Sequence, residues 1–86
     1  MQLLKGEKRS VVMSIVSDDD FKISTATVEV VKRCDTVLQI PCTISEHDIA
    51  FSIDSGDLEK GYYEIVVTFS IGPEIIKRKT ELQIEC

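Results

Sequence analysis

Directly before its most regular alternating segment, Glu64-Ile65-Val66-Val67-Thr68-Phe69, the chain reads Asp57-Leu58-Glu59-Lys60-Gly61-Tyr62-Tyr63. Leu58 is followed three residues later by Gly61, and Tyr63 comes two residues after that glycine. This spacing at the start of a strand predicts a tyrosine corner, in which the tyrosine hydroxyl bonds to nearby backbone where the chain crosses between two sheets. We therefore expect Leu58, Gly61 and Tyr63 to be structural residues of a β-sandwich.

Alternation of apolar and polar residues extends over almost the entire chain, and no segment keeps the spacing of an amphipathic helix. The apolar sets are Val11 to Ile15, Ala26 to Val30, Leu38 to Ile44, Ile49 to Ile53, Tyr63 to Phe69, and Leu82 to Ile84, with a possible leading strand over Leu3 to Lys8. Sheets of this kind must bury their apolar faces against each other. The pattern predicts a single all-β domain over residues 1–86, an immunoglobulin-like antiparallel β-sandwich of about seven strands.

The first hairpin is expected to turn through a three-residue loop, Cys34-Asp35-Thr36. The register that follows is Val30 opposite Ile40, Val28 opposite Cys42, and Ala26 opposite Ile44. All these side chains then share one face, as a core requires. Pro41 has no N–H to donate, so this strand is expected at the edge of a sheet.

The second hairpin is expected to turn at Ile71-Gly72-Pro73-Glu74. Its register is Phe69 opposite Ile76, Val67 opposite Arg78, and Tyr63 opposite Leu82. Arg78 then points inward, which fits a core poorly. Two explanations stay open: a bulge near Lys77, or an Arg78 stem that reaches out to solvent at the rim.

Charge and hydropathy narrow the possible partners. The net charge of −5 repels nucleic-acid phosphates, so we expect no nucleic-acid partner. No apolar run approaches the ~20 residues of a membrane-spanning helix, so we expect no membrane partner. The basic run Lys77-Arg78-Lys79 lies on a predicted strand, where it is typical of an edge protected against aggregation.

The three cysteines Cys34, Cys42 and Cys86 are an odd number without metal-binding spacing. They predict free thiols in a reducing compartment, with Cys42 as a small core residue and Cys34 in a turn. The apolar run from Val11 to Val16 is too short for a signal peptide and leads into Asp18-Asp19-Asp20, so synthesis in a cytoplasm is expected. The only histidine, His47, lies in a polar loop and is not expected to activate a thiol.

Two acidic runs are interpreted as solvated turns rather than calcium sites. Asp18-Asp19-Asp20 has no matching ligand loop, and the glycine of Asp54-Ser55-Gly56-Asp57-Leu58-Glu59 is misplaced for an EF-hand. No carboxylate pair is expected in a cleft. We therefore predict a protein that is not an enzyme and that uses no cofactor and no metal.

Several apolar residues fall opposite the predicted core positions and form the candidate interface. Valine simply suits strands, so single exposed valines are ordinary. If several lie together on one sheet face, they would instead form an assembly interface. The candidate residues are Val12, Val16, Val31, Val37, Tyr62 and Val66.

The order of these elements resembles the small immunoglobulin-like domains of tailed-phage structural proteins, in particular the N-terminal domain of baseplate upper proteins. The resemblance spans essentially the whole chain, and its segments are Lys5-Gly6-Glu7-Lys8 before a strand, Ala26-Thr27-Val28-Glu29-Val30, Ile49-Ala50-Phe51-Ser52-Ile53 leading into the tyrosine corner, and the closing Thr80-Glu81-Leu82-Gln83-Ile84. It implies a non-enzymatic tail or baseplate module in a virion that contacts other structural proteins or itself as an oligomer. Such domains are usually fused to longer proteins, so a stand-alone protein and an excised domain both remain open.

Two other functions are the alternatives to this one. An adhesion or carbohydrate-binding module cut from a secreted protein would usually present exposed aromatic residues, yet the chain has no tryptophan. A protease inhibitor of the chagasin-like family would carry Asn-Pro-Thr-Thr-Gly and Arg-Pro-Trp loops, and neither is present.

Overall fold

The strands follow the alternating segments closely. The computed structural model describes residues 1–16 and 21–86, so the acidic run Asp18-Asp19-Asp20 lies outside the described residues. The strands are β1 (Gln2–Leu4), β2 (Lys8–Ser14), β3 (Ile23–Lys32), β4 (Asp35–Ile40), β5 (Cys42–Ser45), β6 (Asp48–Asp54), β7 (Gly61–Ile71) and β8 (Glu74–Glu85), and a short 3₁₀ helix, Ser55–Asp57, joins β6 to β7.

These strands form two sheets, which pack as a sandwich and confirm the predicted all-β class. One sheet has five strands in the order β1-β8-β7-β3-β4, and the other has three in the order β2-β6-β5. All neighbours are antiparallel except β1 and β8, which run parallel. The core between the sheets consists of Leu3, Ile23, Val28, Val30, Ile40, Ile49, Phe51, Ile53, Leu58, Tyr63, Ile65, Val67, Phe69, Leu82 and Ile84.

The register predicted for the second hairpin is confirmed. In β7 and β8, Phe69 faces Ile76 and Tyr63 faces Leu82, and the pairing runs without interruption from Gly61 to Ile71. No bulge therefore relieves the inward position of Arg78. The side chain is instead exposed, because it lies where the sandwich is open at its rim.

The register predicted for the first hairpin is wrong by two residues. Val30 faces Leu38 and Val28 faces Ile40. The turn consists of Arg33 and Cys34, which both have left-handed φ angles of 53° and 68°. This two-residue turn is shorter than the predicted three-residue loop. A bulge at Val37 of β4 then adds one unpaired residue, because Val31 pairs with Thr36 and Val30 with Leu38.

The predicted strand over Leu38 to Ile44 is in fact divided at Pro41. Cys42 and Ile44 do not face Val28 and Ala26, because they belong to β5 and pair with Phe51 and Ile49 on the other sheet. The proline has no N–H for a ladder, and the chain uses that break to change sheets. Both resulting strands, β4 and β5, end their sheets, which confirms the predicted edge position.

Candidate interaction surfaces and the corner beside them

The segment Leu58–Tyr63 has the geometry expected of a tyrosine corner. The Tyr63 hydroxyl donates a hydrogen bond to the Glu59 carbonyl oxygen at 2.7 Å. Leu58 is buried, and Gly61 has a φ of 150°, a conformation that side chains disfavour. The Lys32 ammonium lies over the Tyr63 ring, 5.2 Å from its centre, within the range of a cation–π contact.

Ser55 connects two of the segments in which the chain passes from one sheet to the other, between β1 and β2 and between β6 and β7. Its side chain is fully buried, and its hydroxyl oxygen lies 2.7 Å from the carbonyl oxygens of both Leu4 and Glu7. Its N–H also donates to the Glu7 carbonyl at 2.9 Å. Because Leu4 ends β1 and Ser55 follows β6, this one side chain ties a strand of each sheet to the other.

Lys5 adds a second tie to the same corner. Its ammonium donates to the Leu58 carbonyl oxygen, and to that of Gly56 at 3.5 Å. Sequence reasoning missed both Ser55 and Lys5. Ser55 stands within the polar run Asp54-Ser55-Gly56-Asp57, which is typical of an exposed turn, so no local signal marks it as buried.

Glu7 is held in the turn between β1 and β2. Its carboxylate accepts from the Leu4 N–H at 3.0 Å and from the Arg9 guanidinium at 2.8 Å. The backbone hydrogen bond from Leu4, followed by the Arg9 interaction, lowers the pKa of the Glu7 carboxyl from its ordinary value of 4.5.

The structure divides the candidate interface residues between two sheets. Val12 lies on β2, and Val16 follows the end of that strand; both are exposed. Val31 lies on β3 of the other sheet, and Tyr62 and Val66 lie beside it on β7. Val37 lies at the bulge of β4, where the pairing skips it. The six residues therefore do not form one patch.

Val31, Tyr62 and Val66 share the outer face of the five-stranded sheet. Val31 lies opposite Glu64, and Val66 lies opposite Glu29, so the two valines are diagonal neighbours. Tyr62 is 73% exposed and lines the same open depression as Val31. We call this set the outer-face cluster.

An ion pair lies within the outer-face cluster. The Glu64 carboxylate and the Lys79 ammonium form an ion pair at 3.1 Å across β7 and β8. The Val66 and Lys79 positions face each other directly in the pairing of those strands. The cluster therefore has an ion pair among its apolar side chains, because Glu64 lies between Tyr62 and Val66 on the outward face of β7.

Among the described residues, the exposed apolar side chains that sequence reasoning missed include Leu4 at 58% and Ile75 at 73% exposure. Ile75 and Ile76 are consecutive, and successive strand residues point to opposite faces, so one of the two must point outward. That doublet was the available signal. The register shows that Ile76, which faces Phe69, is the inward one.

The described residues offer little reactive chemistry. Cys34, Cys42 and Cys86 are free thiols, and the half-buried Cys42 donates to the Ala26 carbonyl at 3.3 Å. The His47 ring is stacked on Phe21, with centroids 4.3 Å apart. Within residues 1–16 and 21–86, no group of three or more His, Cys, Asp and Glu side chains could hold a metal ion.

Two further findings bear on the setting of the protein. Among the described residues, no helix has the length and apolar character needed to cross a membrane. No protein-family model matches the sequence, and no curated protein sequence matches it.

Proposed function

We propose that this protein is a non-enzymatic immunoglobulin-like structural module that assembles through protein–protein contacts, as a tail or baseplate component of a phage or prophage. The phage setting rests on the sequence resemblance. It would be made in a cytoplasm and end in a virion. The contact role rests on the outer-face cluster of Val31, Tyr62 and Val66.

The distribution of strands supports the immunoglobulin-like assignment. The strands β2 to β8 can be lettered B, C, C′, D, E, F and G in chain order. The three-stranded sheet then contains B, E and D, and the five-stranded sheet contains C′, C, F and G beside β1. That is the division of strands in immunoglobulin domains. β1 departs from the constant-type arrangement, because it pairs with the last strand rather than with β2. The hydrogen bond from Tyr63 to Glu59 supports the same assignment.

The outer-face cluster is the observation that carries the contact role. Tyr62 is a large, rigid side chain at 73% exposure, and tyrosine is enriched at the centres of protein interfaces. The Glu64–Lys79 ion pair lies among these side chains and adds a polar contact to the same face. We propose a second copy of this chain as the partner of this face.

Light scattering over a range of protein concentrations, under reducing conditions, tests this proposal. We expect a concentration-dependent oligomer that Tyr62→Ser weakens about tenfold or more, as truncation of a central interface aromatic does. Val12→Ser is the matched control, because Val12 is exposed on the opposite sheet and should leave the association unchanged. A protein that stays monomeric at high concentration would contradict self-assembly through this face.

A further inference from the structure

The first half of β8 has an open side. β1 is short and pairs only with Gln83, Ile84 and Glu85 of β8. In the part of the chain that the structure describes, no other strand lies on that side of β8. The segment Ile75–Lys79 therefore borders solvent along one edge.

The backbone groups that are left open can be identified from those that β1 uses. The Gln83 N–H donates to the Met1 carbonyl at 2.9 Å, and the Met1 ammonium donates to the Glu81 carbonyl at 3.0 Å. In an antiparallel strand, alternate residues direct their N–H and C=O groups to the same side. The open donors and acceptors are consequently those of Ile75, Lys77 and Lys79.

Burial changes along β8 where β1 ends. The inward side chains beside β1, Leu82 and Ile84, are each 1% exposed. The next inward side chains, Thr80 and Arg78, are exposed. The sandwich thus lacks a covering strand over this stretch.

A cavity lies between the sheets beneath this open edge. Its volume is about 370 Å³, and β2, β6, β7 and β8 contribute to its walls. Its lining is mainly apolar and includes Val11, Met13, Phe51, Ile65 and Val67. A strand added beside β8 would direct every second side chain into this space.

The charges at the edge are basic. Lys77 and Lys79 point outward, and the Arg78 guanidinium donates to the Lys77 carbonyl at 3.1 Å. Lys79 pairs with Glu64, whereas Lys77 and Arg78 take part in no ion pair among the described residues. A second copy of β8 would bring like charges face to face, which disfavours pairing of this edge with itself.

We propose that the free half of β8 accepts an extended segment of a partner protein in which acidic and apolar residues alternate. The segment lies in line with β1 and hydrogen-bonds to Ile75, Lys77 and Lys79. Its apolar side chains enter the cavity and its carboxylates face Lys77 and Lys79, as in other cases of strand addition. The Arg78 guanidinium leaves the Lys77 carbonyl on binding. This inference rests on the proposed contact role and specifies the chemistry of a second partner.

The test uses a capped eight-residue peptide in which glutamate and valine alternate, titrated by calorimetry into the full chain up to about 1 mM. The control peptide has the same composition with its glutamates and valines in separate blocks. We expect saturable binding of the alternating peptide alone. Amide hydrogen exchange should slow at Ile75, Lys77 and Lys79, because their N–H groups gain acceptors.

Variants separate backbone pairing from charge. Lys77→Glu should weaken binding about five- to tenfold, whereas Lys60→Glu, an equal charge change on a distant exposed loop, should leave it unchanged. The Lys77→Pro variant should bind the alternating peptide about fivefold more weakly than Lys77→Ala does. Both changes remove the charge, but proline also removes the open N–H of residue 77, which makes no hydrogen bond to β7. Thermal unfolding verifies that each variant is folded.

Absence of saturable binding, equal binding of the block peptide, an equal loss in Lys60→Glu, or slowed exchange away from β8 would each overturn the inference. If the peptide does not bind while Tyr62→Ser still weakens self-association, strand addition is wrong and the proposed assembly role stands. If the protein stays monomeric and the peptide binds, self-assembly is wrong and the edge remains its contact site.

Discussion

Polar groups are bonded differently in two regions of the molecule, the corner around Ser55 and Tyr63 and the open half of β8. At the corner, the single proton of the buried Ser55 hydroxyl is shared between the Leu4 and Glu7 carbonyl oxygens, and the Tyr63 hydroxyl donates to the Glu59 carbonyl. Along the edge, the backbone groups of Ile75 and Lys79 face solvent. The difference indicates that the corner holds the two sheets together. The edge is free to make contacts, because its backbone groups are bonded to water and exchanging that water for a partner costs little free energy.

The largest expected difference between the two regions is in side-chain burial. Leu58→Ala should lower the free energy of unfolding by about 2–5 kcal/mol, because it leaves a cavity at the corner. Ile75→Ala removes a comparable side chain that is 73% exposed, and should change that free energy by less than about 0.5 kcal/mol. Urea unfolding measures both. Equal losses would contradict the assignment of stability to the corner.

The buried hydroxyl should come next in size. Ser55→Ala removes the donor that serves the Leu4 and Glu7 carbonyls, and should cost about 1–3 kcal/mol in the free energy of unfolding. Ser52→Ala is the control, because Ser52 is exposed and its hydroxyl oxygen lies 3.4 Å from that of Ser10. A loss in the control as large as that at Ser55 would mean that burial does not set the effect.

Adjacent tyrosines allow a direct comparison of a bonded hydroxyl with a solvated one. Tyr63→Phe should destabilise the fold by about 0.5–1.5 kcal/mol through loss of the bond to Glu59. The Tyr62 hydroxyl has only a 3.5 Å contact with the Gln83 amide, so Tyr62→Phe should have almost no effect. Chemical denaturation of the two variants measures the difference. A similar change in both would show that the Glu59 bond adds no stability.

The smallest expected effect depends on pH. The pKa of Glu7 is lowered in the folded protein, chiefly by the Leu4 N–H. The ionised carboxylate therefore stabilises the fold above its ordinary pKa of 4.5, and this contribution is lost as the pH falls through the lower, folded-state pKa. Wild type should exceed Glu7→Gln in stability near neutral pH, and the gap should close in acid. A gap that widens in acid would contradict the sign of the shift.

The sequence predicted the parts of the fold that depend on alternation alone. The pairing of β7 with β8 followed from a short turn and a continuous apolar face, and it is correct to the residue. The predicted register of β3 with β4 was wrong, because Arg33 and Cys34 adopt left-handed φ angles. Neither residue type indicates such angles at those positions. The division at Pro41 was visible only as a missing N–H, which indicates an edge but not a change of sheet.

The candidate contact residues were harder to predict than the core. Period two separates inward from outward side chains, but it does not tell which sheet a strand joins. The pattern places Val12 and Val31 alike as outward valines, yet they lie on different sheets. Lys77-Arg78-Lys79 was correctly placed on a strand, and its open side depends on how far β1 extends, which the sequence pattern left undetermined.

The parallel pairing of β1 with β8 also has a consequence for how the protein folds. Gln2 lies beside Gln83, so this contact joins segments separated by almost the whole chain. Contacts of such large sequence separation form late, because the intervening loop must first be ordered. The hairpin of β7 and β8 can form locally and wait for the amino-terminal strand. β1 is therefore expected to dock last, so that the burial of Leu3 and the contact of Ser55 with the Leu4 carbonyl complete the sandwich at the end of folding.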